Sequence, residues 1–141
     1  MRFMVIVKAT RQSEAGELPK KEVLEAMHHF NEELIAAGIM QSAEGLLSSA
    51  KGARVRVSAG KVSVLDGPFA ETKELIAGYW IWKVKSKDEA IAWARRVPNP
   101  TGEDYELELR QVGEAEDFGP ELHAQLPEVF EAERKFRGEA T

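Results

Sequence analysis

The sequence predicts a single α+β domain in which two helices cover one face of an antiparallel sheet. Three observations carry this. Residues 2–9 and 78–85 are strand-length segments apolar on both faces, residues 20–37 are apolar at helical spacing, and valines alternate with polar residues on both sides of Ala59-Gly60. In order, the elements are strand, helix, hairpin, strand, helix, strand.

The first strand, residues 2–9, has Phe3, Val5 and Val7 on one face and Met4 and Ile6 on the other, which suits a central position. Residues 10–18 are polar and contain Gly16, so a loop is expected there. Pro19 opens the first helix, where its missing N–H costs nothing, and Gly38 closes it. Val23, Leu24, Met27, Phe30, Leu34 and Ile35 form its apolar face. Residues 38–52 read as mostly irregular, with a short strand near 39–42.

Arg54–Ser58 and Lys61–Leu65 form the hairpin, with Gly60 available for positive φ. Asp66-Gly67-Pro68-Phe69 is a turn by composition, and residues 72–76 suit a helical turn. In the strand 78–85, Tyr79 and Ile81 share one face and Trp80, Trp82 and Val84 the other. Ser86 and Glu89 match a capping box for the second helix, which Pro98 ends. The last strand spans about 105–112. Residues 113–141 form an acidic extension to the domain of residues 1–112, with one amphipathic helix predicted over 120–136 through Leu122, Leu126, Val129, Phe130 and Phe136.

The chain has 141 residues, a formal net charge of -5 and no cysteine. The missing cysteines exclude disulfides, iron–sulfur clusters, thiolate zinc and a thiol nucleophile, and they fit a reducing cytoplasm. The apolar run at residues 3–7 is too short for a signal sequence, and no run approaches the roughly 20 residues of a membrane span. The negative charge argues against nucleic-acid binding. No cofactor motif is present. His28 and His29 diverge by about 100° on a helix and cannot chelate one metal, and His28 with Glu32 is an i, i+4 pair.

Two helices can cover only one face of the sheet, yet the strand 78–85 is apolar on both. A second sheet from a twofold partner is the simplest cover, so a homodimer is expected; the alternative is that the C-terminal helix folds back over that face.

The run Asp66-Gly67-Pro68-Phe69-Ala70-Glu71-Thr72-Lys73-Glu74, followed by Gly78-Tyr79-Trp80, resembles the DGPF signature of the YCII-related family. The likeness continues in Phe30-Asn31-Glu32-Glu33-Leu34, Glu44-Gly45-Leu46, Glu89-Ala90-Ile91 and Arg110-Gln111-Val112, and covers roughly residues 1–119. The resemblance implies a ferredoxin-like fold pairing as a dimeric α+β barrel, with a cleft for a small ligand, expected to be dimer-associated and near the DGPF turn. Some relatives have been suggested to be enzymes on the strength of a His–Asp pair; counting back from Gly38, that histidine would fall near Met27, with His28 beside it, so the pair does not carry over. Relatives are often encoded near alternative sigma factors, which implies a regulatory or protein-interaction role as the alternative to ligand binding.

The candidate site residues each carry two readings. Asp66 either caps backbone N–H groups of its turn or stands as a general base on a rigid strand end. Glu44 could be a second carboxylate beside it, raising one pKa for acid–base work. Glu71 and Lys73, two apart on an extended segment, form either an ion pair or a ligand clamp. Asn31 falls inside the apolar face of its helix and needs partners, either a bond to the sheet or a ligand. Arg56, with Arg54, lies on the hairpin face opposite Val55 and Val57, either solvated or lining an anion-binding cleft. Trp80 completes the ligand-binding set.

Overall fold

A computed structural model of the chain describes residues 1–138. Strand β1 (Arg2–Lys8) is central in a four-stranded antiparallel sheet of order β2-β5-β1-β6, with β2 at Met40–Gly45, β5 at Ile76–Lys83 and β6 at Leu107–Gln111. Helix α2 (Lys21–Ala36) connects β1 to β2, and α3 (Lys87–Ala94) connects β5 to β6. Two βαβ halves interleaved in this order make the fold ferredoxin-like. Strands β3 (Ala53–Ser58) and β4 (Lys61–Asp66) form a separate two-stranded hairpin inserted between β2 and β5.

The pleat decides which residues meet the helices. Phe3 and Val5 of β1 and Trp80 and Trp82 of β5 are buried with Phe30 and Leu34 of α2, and Ala90 and Val97 close the far side. Phe30 is the hub, its ring meeting the edges of Trp80, Trp82 and Trp93 at 6.2–6.3 Å between centroids. Such tilted aromatic pairs contribute about 0.5–1.5 kcal/mol each beyond their burial. The opposite face presents Met4, Ile6, Tyr79 and Ile81, all half-buried. Ile81, not Trp80, therefore turns away from the helices.

Several boundaries depart from the expectation. Residues 11–14, expected in a loop, form the short helix α1 (Arg11–Glu14), because Thr10 and Ser13 make a reciprocal capping box. Strand β2 runs on to Gly45, since pairing with β5 orders a sequence with little apolar alternation of its own. At the start of α3, Ser86 Oγ accepts from Glu89 N–H, but the Glu89 carboxylate accepts from Lys85 N–H rather than from Ser86.

Residues 112–138 belong to a second compact unit, distinct from Met1–Gln111. The single long helix expected there is two, α4 (Gly119–Gln125) and α5 (Pro127–Phe136). Pro127 lacks an N–H and clashes with a preceding turn, so a helix can begin at it but not run through it. Inside this unit the His123 ring stacks on Phe130 at 4.1 Å, and His123 Nε2 is hydrogen-bonded to the Ala115 carbonyl.

Candidate functional site

Along the inner face of β5, the indoles of Trp82 and Trp80 are followed by Gly78. Across from them on β2 stand Ala43 and Gly45. The core is filled up to Trp80 and then runs out of side chains. A cavity of about 380 Å³ opens there, between this end of the sheet and the first half of α2, lined chiefly by Val7, Val23, Leu24, Met27, Asn31 and Trp80. Gly78 is forced by the neighbouring backbone, because a Cβ there would sit 2.7 Å from the Glu44 carbonyl oxygen. A second hollow of about 220 Å³ continues past Val7, Val23, Met27 and Ala77 toward Pro98–Tyr105.

Asn31 is the polar side chain that α2 contributes to the cavity. Its Oδ1 accepts from Trp80 Nε1 at 2.8 Å, which fixes the amide and satisfies a buried indole N–H. The Nδ2 group has no partner among the described residues, so its two hydrogens remain available. The bond thus pins helix to sheet and leaves a donor over at the cavity.

Glu44 also borders the cavity, but it pairs with Tyr79, whose side chain lies on the sheet face opposite Trp80. The pleat therefore sends the Glu44 carboxylate away from α2. Asp66 lies elsewhere, at the end of β4 opposite Ala53, and does not border this cavity. Its carboxylate caps nothing among the described residues. The turn is held instead by Gly67 N–H to the Gly52 carbonyl at 3.0 Å and Phe69 N–H to Ser49 Oγ at 3.0 Å. Ser49 Oγ in turn donates to the Glu14 carboxylate, which also accepts from Ser49 N–H at 3.0 Å. Gly67 is required here, since a Cβ would sit 1.7 Å from the Ser49 carbonyl oxygen.

Glu71 and Lys73 are not on an extended segment. Glu71 stands at the N-cap position of a 3-10 turn at Thr72–Glu74, with no side-chain capping bond, and the turn removes the side-by-side placement that extended geometry would give. Arg56 lies on the hairpin, facing Ser63 across the strands, while Arg54 stacks over the Phe69 ring at 3.9 Å. The structure therefore brings Asn31 and Trp80 together at one cavity, with Glu44 at its rim, and leaves Asp66, Arg56, Glu71 and Lys73 outside it. Val23, Met27, Ala43 and Gly78 line the same space, although nothing in the sequence marks them as site residues beyond a glycine interrupting the most aromatic strand of the chain.

The YCII-related domain model matches residues 1–112. The chain belongs to the YCII-related family. It is 34% identical over 89 residues to an uncharacterized protein of Rhizobium meliloti (strain 1021), covering 62% of this chain and 72% of that one. Among solved structures it is similar to 5-chloro-2-hydroxyhydroquinone dehydrochlorinase from Burkholderia phenoliruptrix AC1100 in complex with 2,5-dihydroxybenzoquinone. That likeness has 14% identity and a TM-score of 0.48, covering 82% of this chain and 97% of the other. No helix among the described residues is long and apolar enough to cross a membrane.

Proposed function

We propose that this DGPF-type YCII-related protein holds a small, mostly apolar molecule in the cavity beneath the first half of α2, and that it does so as a homodimer joined through the open face of the sheet. The observation that carries the ligand reading is the Asn31 amide. Its oxygen is committed to Trp80, and its N–H₂ is left as a donor beside Val23, Leu24 and Met27. Apolar walls with one fixed polar group are the usual makeup of a small-molecule site. The ligand that fits bears a hydrogen-bond acceptor, such as a carbonyl or phenolic oxygen, next to an apolar body. Asn31 and Trp80 face the ligand in this reading; Asp66, Arg56, Glu71 and Lys73 have no part in it.

The dimer reading comes from Met4, Ile6, Tyr79 and Ile81, an apolar cluster on a face that neither α2 nor α3 covers. Native mass spectrometry of the purified protein, with titration by an environment-sensitive apolar dye, tests the ligand site. A bound small molecule or saturable dye binding is expected. Asn31→Leu should weaken that binding about tenfold, the loss of one hydrogen bond, and Asp66→Ala should leave it unchanged. Absence of any binding, or equal loss from both variants, would sink the proposal.

A further inference from the structure

The β3–β4 hairpin has a two-residue connection and a register that sorts its side chains cleanly. Val55 faces Val64 and Val57 faces Val62, so four valines share one face. Arg54, Arg56, Ser63 and Leu65 take the other. Every residue of both strands is exposed, and the four valines are 66–70% exposed. A two-stranded hairpin with no layer against it is at best marginal in water. An apolar face of this regularity is one that water disfavours and a partner surface would cover.

We infer that the valine face of this hairpin is an arm that lies on the open sheet face of a second copy of the same chain. This goes beyond the homodimer proposed above and rests on it. The areas point to that occupant. Four exposed valines offer about 60–120 Å² of apolar surface apiece, on the order of 300–400 Å² together. A stable interface needs about 800 Å² from each partner. The arm alone is too small, and so is a cluster of four half-buried residues at Met4, Ile6, Tyr79 and Ile81. Joined by a twofold axis, each arm meets the other subunit's cluster, and one self-complementary contact covers both surfaces. Arm against arm would leave the sheet faces bare.

The test uses the full chain and sedimentation at micromolar concentration. The wild type is expected to be a dimer. Val57→Asp puts a charge into the contact and should raise the dimer dissociation constant at least about 100-fold. Ser63→Asp, on the opposite face of the same hairpin, should leave it unchanged. Far-UV circular dichroism and tryptophan emission from the buried Trp80 and Trp82 verify that each variant is folded. Because the chain has no cysteine, Val57→Cys and Ile81→Cys proteins can also be mixed and oxidised, and an interchain disulfide between the two is expected. A monomeric wild type overturns both the dimer and the arm. A dimer broken by Ile81→Glu but not by Val57→Asp overturns the arm and leaves the sheet-face dimer standing. Equal weakening by Ser63→Asp, or no mixed disulfide from a dimeric pair, also overturns the arm.

Discussion

Strand β5 and the β3–β4 hairpin are both rich in residues that favour β structure, and they end in opposite environments. Gly78, Trp80 and Trp82 of β5 are buried, whereas every position of the hairpin is exposed. The difference lies in the connections. The chain entering β2 and the chain entering β6 each carry a helix, α2 and α3, and both helices land on the same side of the sheet. The hairpin strands are joined by Ala59-Gly60 alone, which brings no helix with it. Propensity makes a strand, and topology decides whether anything covers it.

The sharpest way to break the comparison is to substitute one residue on each side of it. Trp82→Ala is expected to destabilise the domain by about 3–5 kcal/mol, since Trp82 is fully buried against Phe30 and Trp80. Val57→Thr is expected to stay within about 0.5 kcal/mol at concentrations where the chain is monomeric. Urea unfolding of both variants measures the contrast. A Val57→Thr penalty that grows with protein concentration would show the hairpin gaining its cover from association.

Next in size is Gly67→Ala, where the added methyl meets the Ser49 carbonyl and backbone must move. A loss of about 2–3 kcal/mol is expected, with the denaturation midpoint as readout. An unchanged midpoint would mean that the root of the hairpin is looser than its hydrogen bonds indicate.

Asn31→Ala removes the acceptor of a buried indole N–H and should cost about 1–3 kcal/mol. Urea unfolding followed by the summed emission of Trp80, Trp82 and Trp93 measures the loss. A neutral result would indicate that another group or water takes over the Trp80 N–H.

The smallest effect belongs to the hairpin tip. Ala59 has φ 49°, a left-handed conformation that its Cβ disfavours, so Ala59→Gly should stabilise the hairpin by up to about 1 kcal/mol. Amide exchange within β3 and β4 would register it, and faster exchange in the variant would contradict it.

Much of the fold was legible because its signals are local. The continuous apolar run of residues 3–7, the helical face from Val23 to Ile35 and the turn at Ala59-Gly60 each mark an element within a few residues of its bounds. Strand β2 was partly hidden because its order comes from pairing with β5, a contact distant in sequence. The break at Pro127 is hidden because the apolar spacing on either side of it reads as one continuous helix. The site was less readable still. Asn31 stands out as a polar residue on an apolar face, but its bond to Trp80 spans 49 positions. The cavity itself is made by what Ala43, Gly45 and Gly78 lack, and missing volume leaves no periodicity to detect.

Ser49 gives the hairpin a mechanical character. Its hydroxyl accepts from Phe69 N–H and donates to Glu14, its carbonyl backs against Gly67, and the strands beyond run free to Ala59-Gly60. Six residues of strand at about 3.3 Å each make a beam of about 20 Å clamped at one end. For a rigid beam of that kind, a tilt of a few degrees at the clamp displaces the tip by more than an ångström. The direction in which the valines point is therefore set at the root of the hairpin, by Ser49 and the Gly67–Gly52 bond, groups that never touch them.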